Sequence, residues 1–118
     1  MKYLVLGDIH NEYKMFMDAV LYAREKNLSI ISVGDVVDYG KHAKSTVHLA
    51  RTIAVAEGAR FIEGNHDNKI ARYLKGNDVT ISHGMKDTIA DLESDNVMKE
   101  NFEYLHSNMK SYIEIGNT

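Results

Sequence analysis

The 118-residue sequence predicts an α/β protein with a mostly parallel sheet of βαβ units and helices on both faces. Two observations predict this fold class. Short apolar runs alternate with longer segments whose apolar residues recur at helical spacing, a pattern typical of βαβ units. The first three apolar runs also each end in a glycine followed by polar residues, and parallel sheets bind ligands beyond the carboxyl ends of their strands.

The predicted strands and helices alternate along the chain. A strand is predicted at each short apolar run, and a helix where apolar residues recur every three or four positions. Glycines mark several helix ends, because glycine readily adopts the left-handed conformation that stops a helix. The predicted elements are strand 3–6, helix 12–27, strand 28–33, helix 43–57, strand 60–63, helix 67–75, strand 78–82, helical patterns over 85–92 and 98–109, and a strand starting at 111–115.

Length and composition favour one small domain over residues 1–118, with no membrane partner. The net charge of −3 argues against a broad basic surface for nucleic acid. The chain has no cysteine, which excludes a disulfide framework and a thiolate metal site. No apolar run approaches the roughly 20 residues of a membrane span, and the amino terminus lacks the pattern of a signal peptide. These features predict a cytoplasmic location.

Three short polar segments follow the first three predicted strands. If the strands are parallel neighbours, polar side chains of these segments converge at one edge of the sheet. The glycine that begins each segment would allow a sharp turn and a close approach of the backbone. The segments are GDIHN at 7–11, GDVVDYG at 34–40 and GNHD at 64–67, and the converging residues are Asp8, His10, Asp35, Asn65 and His66.

These side chains form a mixed oxygen and nitrogen donor set that suits divalent metal ions. Mn²⁺ is the expected ion, with Fe²⁺, Zn²⁺ or Ni²⁺ as alternatives, whereas a calcium site would use oxygen ligands only. Two ions that share Asp35 would lie about 3.5–4 Å apart and would neutralise the carboxylates. Each segment alone also fits an ordinary turn, because Asn and Asp are common turn residues. The occurrence of all three in order favours the metal site.

The three segments together resemble the calcineurin-like metallophosphoesterase superfamily, whose pattern is D-x-H, then G-D-x-x-D-R-G, then G-N-H-D/E. The segment GNHDNKIARYLKGNDVTISHGMKDTIADLE, residues 64–93, is also similar to bacterial and phage phosphatases of the PrpE diadenosine-tetraphosphatase type. The phosphatase module of polynucleotide kinase-phosphatase has a similar segment. The resemblance implies half of an αββα sandwich, because the chain corresponds to the amino-terminal part of such proteins.

The resemblance implies a metal-dependent phosphoester hydrolase that carries two divalent ions. Asp8 and His10 would bind the first ion, Asp35 would bridge both, and Asn65 would bind the second. A metal-activated hydroxide would attack phosphorus, and His66 would act as the general acid that protonates the leaving group.

The resemblance also assigns a role to the second aspartate of GDVVDYG, Asp38. It would orient His66, because a neighbouring carboxylate favours the protonated imidazole. Tyr39, Asn65 and His66 would contact the substrate.

The sequence departs from the family pattern at three places. Tyr39 replaces an arginine that would grip the phosphate by two hydrogen bonds, and a neutral phenol cannot supply that charge. Lys41 and His42 are candidate substitutes for this arginine. Asn11 replaces a common glycine, a change that we expect to be tolerated. The later histidine blocks that complete the metal site are absent, and we interpret His83 as a substrate-side or helix-start residue rather than a ligand.

Two classes of function therefore remain open. The first is a phosphoester hydrolase that acts on a phosphoprotein, a dinucleoside polyphosphate or a nucleic-acid end. The second is a truncated or split product that keeps the fold and acts as a partner or remnant. Such a product could self-associate through the strand edge near residues 111–115, or pair with a missing carboxyl-terminal half. A phosphate-binding loop of the G-x-x-x-x-G-K-[ST] type does not occur.

Overall fold

The computed structural model describes residues 2–37, 42–77, 79–80 and 83–110. Within them the protein has a three-stranded parallel sheet and five helices, which confirms the predicted α/β class. The strands are β1 (Tyr3–Leu6), β2 (Ser29–Val33) and β3 (Arg60–Ile62), in the order β1-β2-β3. The helices are α1 (Tyr13–Lys26), α2 (Ala43–Glu57), α3 (Asn65–Leu74), α4 (His83–Glu93) and α5 (Asn96–Ser107).

The register of the sheet brings the carboxyl ends of the three strands to one edge. Leu6 at the end of β1 pairs with Ser32, and Val33 at the end of β2 pairs with Ile62. Beyond α5 the chain returns to the sheet, where Lys110 forms a parallel bridge with Ile62. The segments that follow β1, β2 and β3 therefore begin side by side.

One apolar core joins the sheet to the helices. It forms because the apolar residues of each helix recur at the spacing that places them on one face. The helix α2 buries Val47, Ala50 and Ile53, and α5 buries Phe102 and Leu105. The largest side chains that are almost fully buried include Phe102, Ile53, Ile70, Met85, Leu92 and Leu105.

The predicted boundaries agree closely with the observed ones, and β1 and α2 have the predicted bounds at both ends. Gly58 ends α2 in the left-handed conformation, with φ at 69°, as predicted. The helix α3 begins at Asn65 rather than at 67. Gly64 caps the helix, and its N–H, which has no partner within the helix, donates a hydrogen bond to the Asp67 side chain.

Two predicted strands are not seen in the described residues. Within the predicted strand 78–82, Val79 and Thr80 lie outside any strand, and the other three positions are not among the described residues. The strand predicted at 111–115 also lies outside them. In the part of the chain that the structure describes, no helix has both the length and the apolar character needed to cross a membrane.

Candidate metal centre

The segment that joins β1 to α1 has an unusual backbone. Asp8, His10 and Asn11 have φ values of 47°, 45° and 59°, in the left-handed region. Asn, Asp and His are enriched there among residues other than glycine, yet each such residue costs about 1–3 kcal/mol, so surrounding contacts must hold it in place. Within this segment the Glu12 N–H donates to the Ile9 carbonyl at 2.9 Å, which closes a tight turn.

The segment that follows β2 lies directly beside this turn. Its backbone also turns sharply, with φ values of 95° at Gly34 and 49° at Asp35. The His10 N–H donates to the Asp35 carbonyl at 3.0 Å, and the Asn11 N–H donates to the Val36 carbonyl at 3.1 Å. Two backbone hydrogen bonds therefore hold the first and second segments side by side.

The third segment approaches Asp35 so closely that only glycine fits. A Cβ atom at Gly64 would lie 2.2 Å from both the backbone N and the side-chain Oδ1 of Asp35. The next turn adds a hydrogen bond, because the His66 N–H donates to Asp35 Oδ1 at 3.1 Å. The carboxylate of Asp35 is therefore positioned by the start of α3, where the macrodipole also favours a negative charge.

Asp8, His10 and Asp35 come together at this edge of the sheet. One ligand atom from each lies within 4.8 Å of those of the other two. His10 Nε2 is 4.0 Å from Asp8 Oδ1, and the Asp8 side chain is 72% exposed whereas that of His10 is 23% exposed. Two carboxylates and one imidazole at this spacing fit a divalent ion that accepts both oxygen and nitrogen ligands. The exposure of Asp8 leaves the cluster open to solvent.

His66 lies at the same edge. Its ring is 5.5 Å from the ring of His10 between centroids, and the two rings meet edge to face at 87°. Asn65 is the first residue of α3 and is exposed. Asp38 and Tyr39 lie outside the described residues. Of the predicted site residues, the structure therefore brings Asp8, His10 and Asp35 into one cluster, with His66 next to it.

Asp67 is a buried acid beside this cluster that sequence reasoning did not assign a role. Its side chain is fully buried and accepts hydrogen bonds from the backbone N–H groups of Val36, Val37 and Gly64, at 3.0, 3.2 and 3.1 Å. These contacts tie the second segment to the third. Burial raises the pKa of Asp67 from 3.8 to about 6, against the opposing effect of the three hydrogen bonds and with a smaller contribution from the charge of Asp35. The position of Asp67 directly after Gly64-Asn65-His66 is the one sequence feature that could have pointed to a role at this site.

Of the other histidines, those whose side chains the structure describes do not join the cluster. His42 and His48 are exposed at the start of α2 and within it. His106 on α5 contacts the carboxylate of Glu63 and stacks on the ring of Phe102, with centroids 6.2 Å apart. His83 begins α4, and its side chain is outside what the structure describes.

An apolar groove opens beside Asp8. It has a volume of about 180 Å³ and lies between the end of β1, the first segment and α1. The exposed side chain of Met15 forms part of its wall. The other lining residues are Leu6, Gly7, Asp8, Ile9, Glu12, Phe16 and Ala19.

The fold and the site together define a class: an α/β protein with a candidate metal centre at the carboxyl edge of a parallel sheet. A comparison with family models identifies the family. The model for calcineurin-like phosphoesterases matches residues 1–116, and the chain belongs to this family.

Curated relatives of the chain include bacterial phosphatases about twice its length. The bis(5'-nucleosyl)-tetraphosphatase PrpE [asymmetrical] of Bacillus mycoides (strain KBAB4) is 30% identical over 128 residues, which cover 95% of this chain and 52% of that protein. The protein of the same name from Bacillus cereus (strain Q1) is 29% identical over 130 residues, with the same coverage. The chain therefore spans about half the length of these relatives.

A solved structure supports the fold. A hypothetical protein from Pyrococcus horikoshii OT3 superposes with a TM-score of 0.64 at 17% sequence identity. The match covers 92% of this chain and 48% of that one. At this identity the similarity shows the fold alone.

Proposed function

We propose that this chain carries the metal-binding part of a metal-dependent phosphoester hydrolase. The observation that carries the proposal is the cluster of Asp8, His10 and Asp35, whose ligand atoms lie within 4.8 Å of one another at the ends of neighbouring strands. Membership of the calcineurin-like phosphoesterase family supports the same reaction class. Divalent ions held there would supply positive charge for the phosphate and an activated water.

Each residue of the site has a distinct role in this proposal. Asp8 and His10 would hold the first ion, Asp35 would be shared by the two ions, and Asn65 would hold the second. The His66 N–H bond to Asp35 keeps the start of α3 beside the ligand cluster. Mn²⁺ is the proposed ion because the mixed donor set accepts it readily.

His66 is the proposed general acid, which gives a proton to the leaving oxygen. Its ring lies beside that of His10, so it would be close to a phosphate held at the ligand cluster. Asp38 would orient His66, as the family resemblance implies. Tyr39 would contact the substrate together with Asn65 and His66, by a single hydrogen bond where an arginine would form two.

A dinucleoside polyphosphate is the proposed substrate class among the three that the sequence leaves open. Relatives named bis(5'-nucleosyl)-tetraphosphatase support this choice. The apolar groove between β1 and α1 adjoins Asp8, so a base attached near the phosphate could contact Met15 and Phe16. A phosphorylated side chain of a protein would make less use of this apolar surface.

The alternative is a chain that binds metal but does not turn over substrate alone. The observation in its favour is that the chain spans about half the length of its curated relatives. In that case the site would act as part of a longer protein or with a partner chain.

Phosphoester hydrolysis and metal binding measured on the same samples test the proposal. We expect the chain with Mn²⁺ to split diadenosine tetraphosphate into two nucleotides faster than it releases phosphate from a phosphopeptide or an aryl phosphate. His10→Ala should lose activity and Mn²⁺ binding together, because it removes a ligand of the cluster. His48→Ala is the matched control, because His48 is exposed on α2 and outside the cluster.

The outcomes separate the two candidates. Binding of Mn²⁺ that depends on His10, without turnover of any phosphoester, would favour the non-catalytic alternative. Equal Mn²⁺ binding by the wild type and His10→Ala would contradict the metal site itself.

A further inference from the structure

Asn11 connects the metal-binding segment to a distant helix. Its side-chain amide Nδ2 donates a hydrogen bond to the hydroxyl Oγ1 of Thr88 at 3.0 Å. The two residues are 77 positions apart in the chain, and each is only 1% exposed. The bond therefore forms where water does not compete, and the loss of one partner would leave a buried polar group unsatisfied.

Thr88 is a well-supported attachment point. It lies in α4, and the same helix places Met85, Ile89 and Leu92 in the core with 1%, 4% and 0% exposure. Protein interiors are packed at near-crystalline density, so a hydroxyl on such a helix has little freedom to move. The Asn11 side chain, which is hydrogen-bonded to this hydroxyl, therefore also has little freedom to move.

Asn11 is equally constrained on the side of the metal site. It directly follows His10, and its backbone is left-handed with φ at 59°. Its N–H donates to the Val36 carbonyl at 3.1 Å, beside the bond from the His10 N–H to the Asp35 carbonyl. The residue is therefore held at its backbone by the second segment and at its side chain by α4.

We propose that Asn11 is a positioning residue for His10, and that α4 supports the metal site through the hydrogen bond from Asn11 to Thr88. The left-handed segment needs contacts that hold it. The Asn11 amide makes one such contact with Thr88, a residue outside the three strand-end segments. Groups that orient a metal ligand typically affect metal affinity by about 10–100-fold when they are removed. This inference rests on the proposed metal site. It adds Asn11 and the helix α4, neither of which contributes a ligand to the cluster.

The test removes one end of the bond at a time. Thr88→Val keeps the shape of the side chain and removes the hydroxyl, whereas Thr88→Ser keeps the hydroxyl. Asn11→Gly removes the amide and still tolerates the left-handed backbone. We expect Mn²⁺ affinity to fall about 10-fold in Thr88→Val and in Asn11→Gly, and to be retained in Thr88→Ser. The double variant should lose no more than either single variant.

A matched control separates positioning from general loss of stability. Thr46 is a fully buried threonine of α2 whose hydroxyl has no hydrogen-bond partner in the part of the chain that the structure describes. Thr46→Val repeats the same exchange far from His10 in sequence. It should leave Mn²⁺ affinity unchanged, even where it shifts the midpoint of thermal unfolding.

Hydrogen exchange of the metal-free chain gives a second readout that needs no bound ion. We expect the amides of His10 and Asn11 to exchange about 5- to 10-fold faster in Thr88→Val, because one buried hydrogen bond contributes about 1 kcal/mol. Unchanged exchange and unchanged Mn²⁺ affinity in Thr88→Val, with a wild type that binds Mn²⁺, would overturn the positioning role alone. A wild type that binds no Mn²⁺ would instead overturn the metal site.

Discussion

The strand-end segments and the helical core of this protein are stabilised in opposite ways. At the strand ends, residues 7–11, 34–37 and 64–67 contain four non-glycine residues with positive φ, and hydrogen bonds to backbone groups and to the buried Asp67 hold them together. In the core, apolar side chains such as Ile53 and Phe102 pack between helices. The backbone of the first region is strained, and this strained conformation brings carboxylates together. The second region gains stability from the burial of apolar surface.

This difference predicts that stability and metal binding can be changed separately. A substitution in the core should lower the free energy of unfolding and leave the ligands in place. A substitution at the strand ends should weaken metal binding, whether or not it also lowers the free energy of unfolding. Two variants test this separation and a third tests the buried acid of the strand ends, from the largest expected effect to the smallest.

Gly64→Ala should have the largest effect, because its Cβ would lie 2.2 Å from two atoms of Asp35. Asp35 or the start of α3 must move. We expect a loss of about 3 kcal/mol in the free energy of unfolding, the upper part of the range for overpacking. Mn²⁺ affinity, measured by calorimetry, should fall about 100-fold.

Gly58→Ala is the control for this variant. Gly58 also has a positive φ, at 69°, but nothing lies within 4 Å of an added Cβ. The left-handed backbone alone should cost about 1–2 kcal/mol, and Mn²⁺ affinity should not change. Equal metal affinities of the two glycine variants would show that the contact with Asp35 is not needed.

Asp67→Asn tests the buried acid through the pH dependence of stability. The folded chain binds the proton of Asp67 more tightly than the unfolded chain, because its pKa rises from 3.8 to about 6. The stabilisation from this proton is therefore complete below about pH 4 and is lost as the pH rises through 6. The shift corresponds to about 3 kcal/mol.

The measurement is urea unfolding of the metal-free wild type and of Asp67→Asn at several pH values. The free energy of unfolding of the wild type should fall relative to the variant by about 2 kcal/mol between pH 4 and pH 7. A constant difference between the two proteins across this range would show that the pKa of Asp67 is not raised.

Ile53→Val should have the smallest effect and should leave the metal site unchanged. Ile53 is 1% exposed in α2, and removal of one methyl group from such a position costs about 0.5–1.5 kcal/mol. Val55→Ala in the same helix is the control, since Val55 is 62% exposed and should change stability by less than about 0.5 kcal/mol. Weaker Mn²⁺ binding by Ile53→Val would mean that the core and the strand ends are coupled.

Local patterns in the sequence predicted most of the fold. The bounds of β1 and α2 follow from an apolar run and from helical spacing closed by Gly58, so neighbouring residues suffice to find them. The convergence of Asp8, His10 and Asp35 was also predictable, because parallel strands place their ends at one edge.

The features that could not be predicted depend on contacts between distant residues. The hydrogen bond from Asn11 to Thr88 spans 77 positions, and neither residue belongs to a motif that would pair them. Glycine was expected to allow close approach in all three segments. An added Cβ would clash at Gly64, whereas at Gly7 it would meet only Val33 at an ordinary 3.7 Å. In the first segment the left-handed residues are Asp8, His10 and Asn11.

The most direct test of the metal site is a Mn²⁺ titration of the wild type, Asp35→Asn and Asp18→Asn. Asp35 belongs to the ligand cluster, whereas Asp18 is an exposed residue of α1 that pairs with Lys14 at 3.6 Å. We predict that Asp35→Asn loses at least about 100-fold in Mn²⁺ affinity while it remains folded, and that Asp18→Asn binds as the wild type does. Equal affinities in all three proteins would contradict the assignment of the metal site to the ends of these strands.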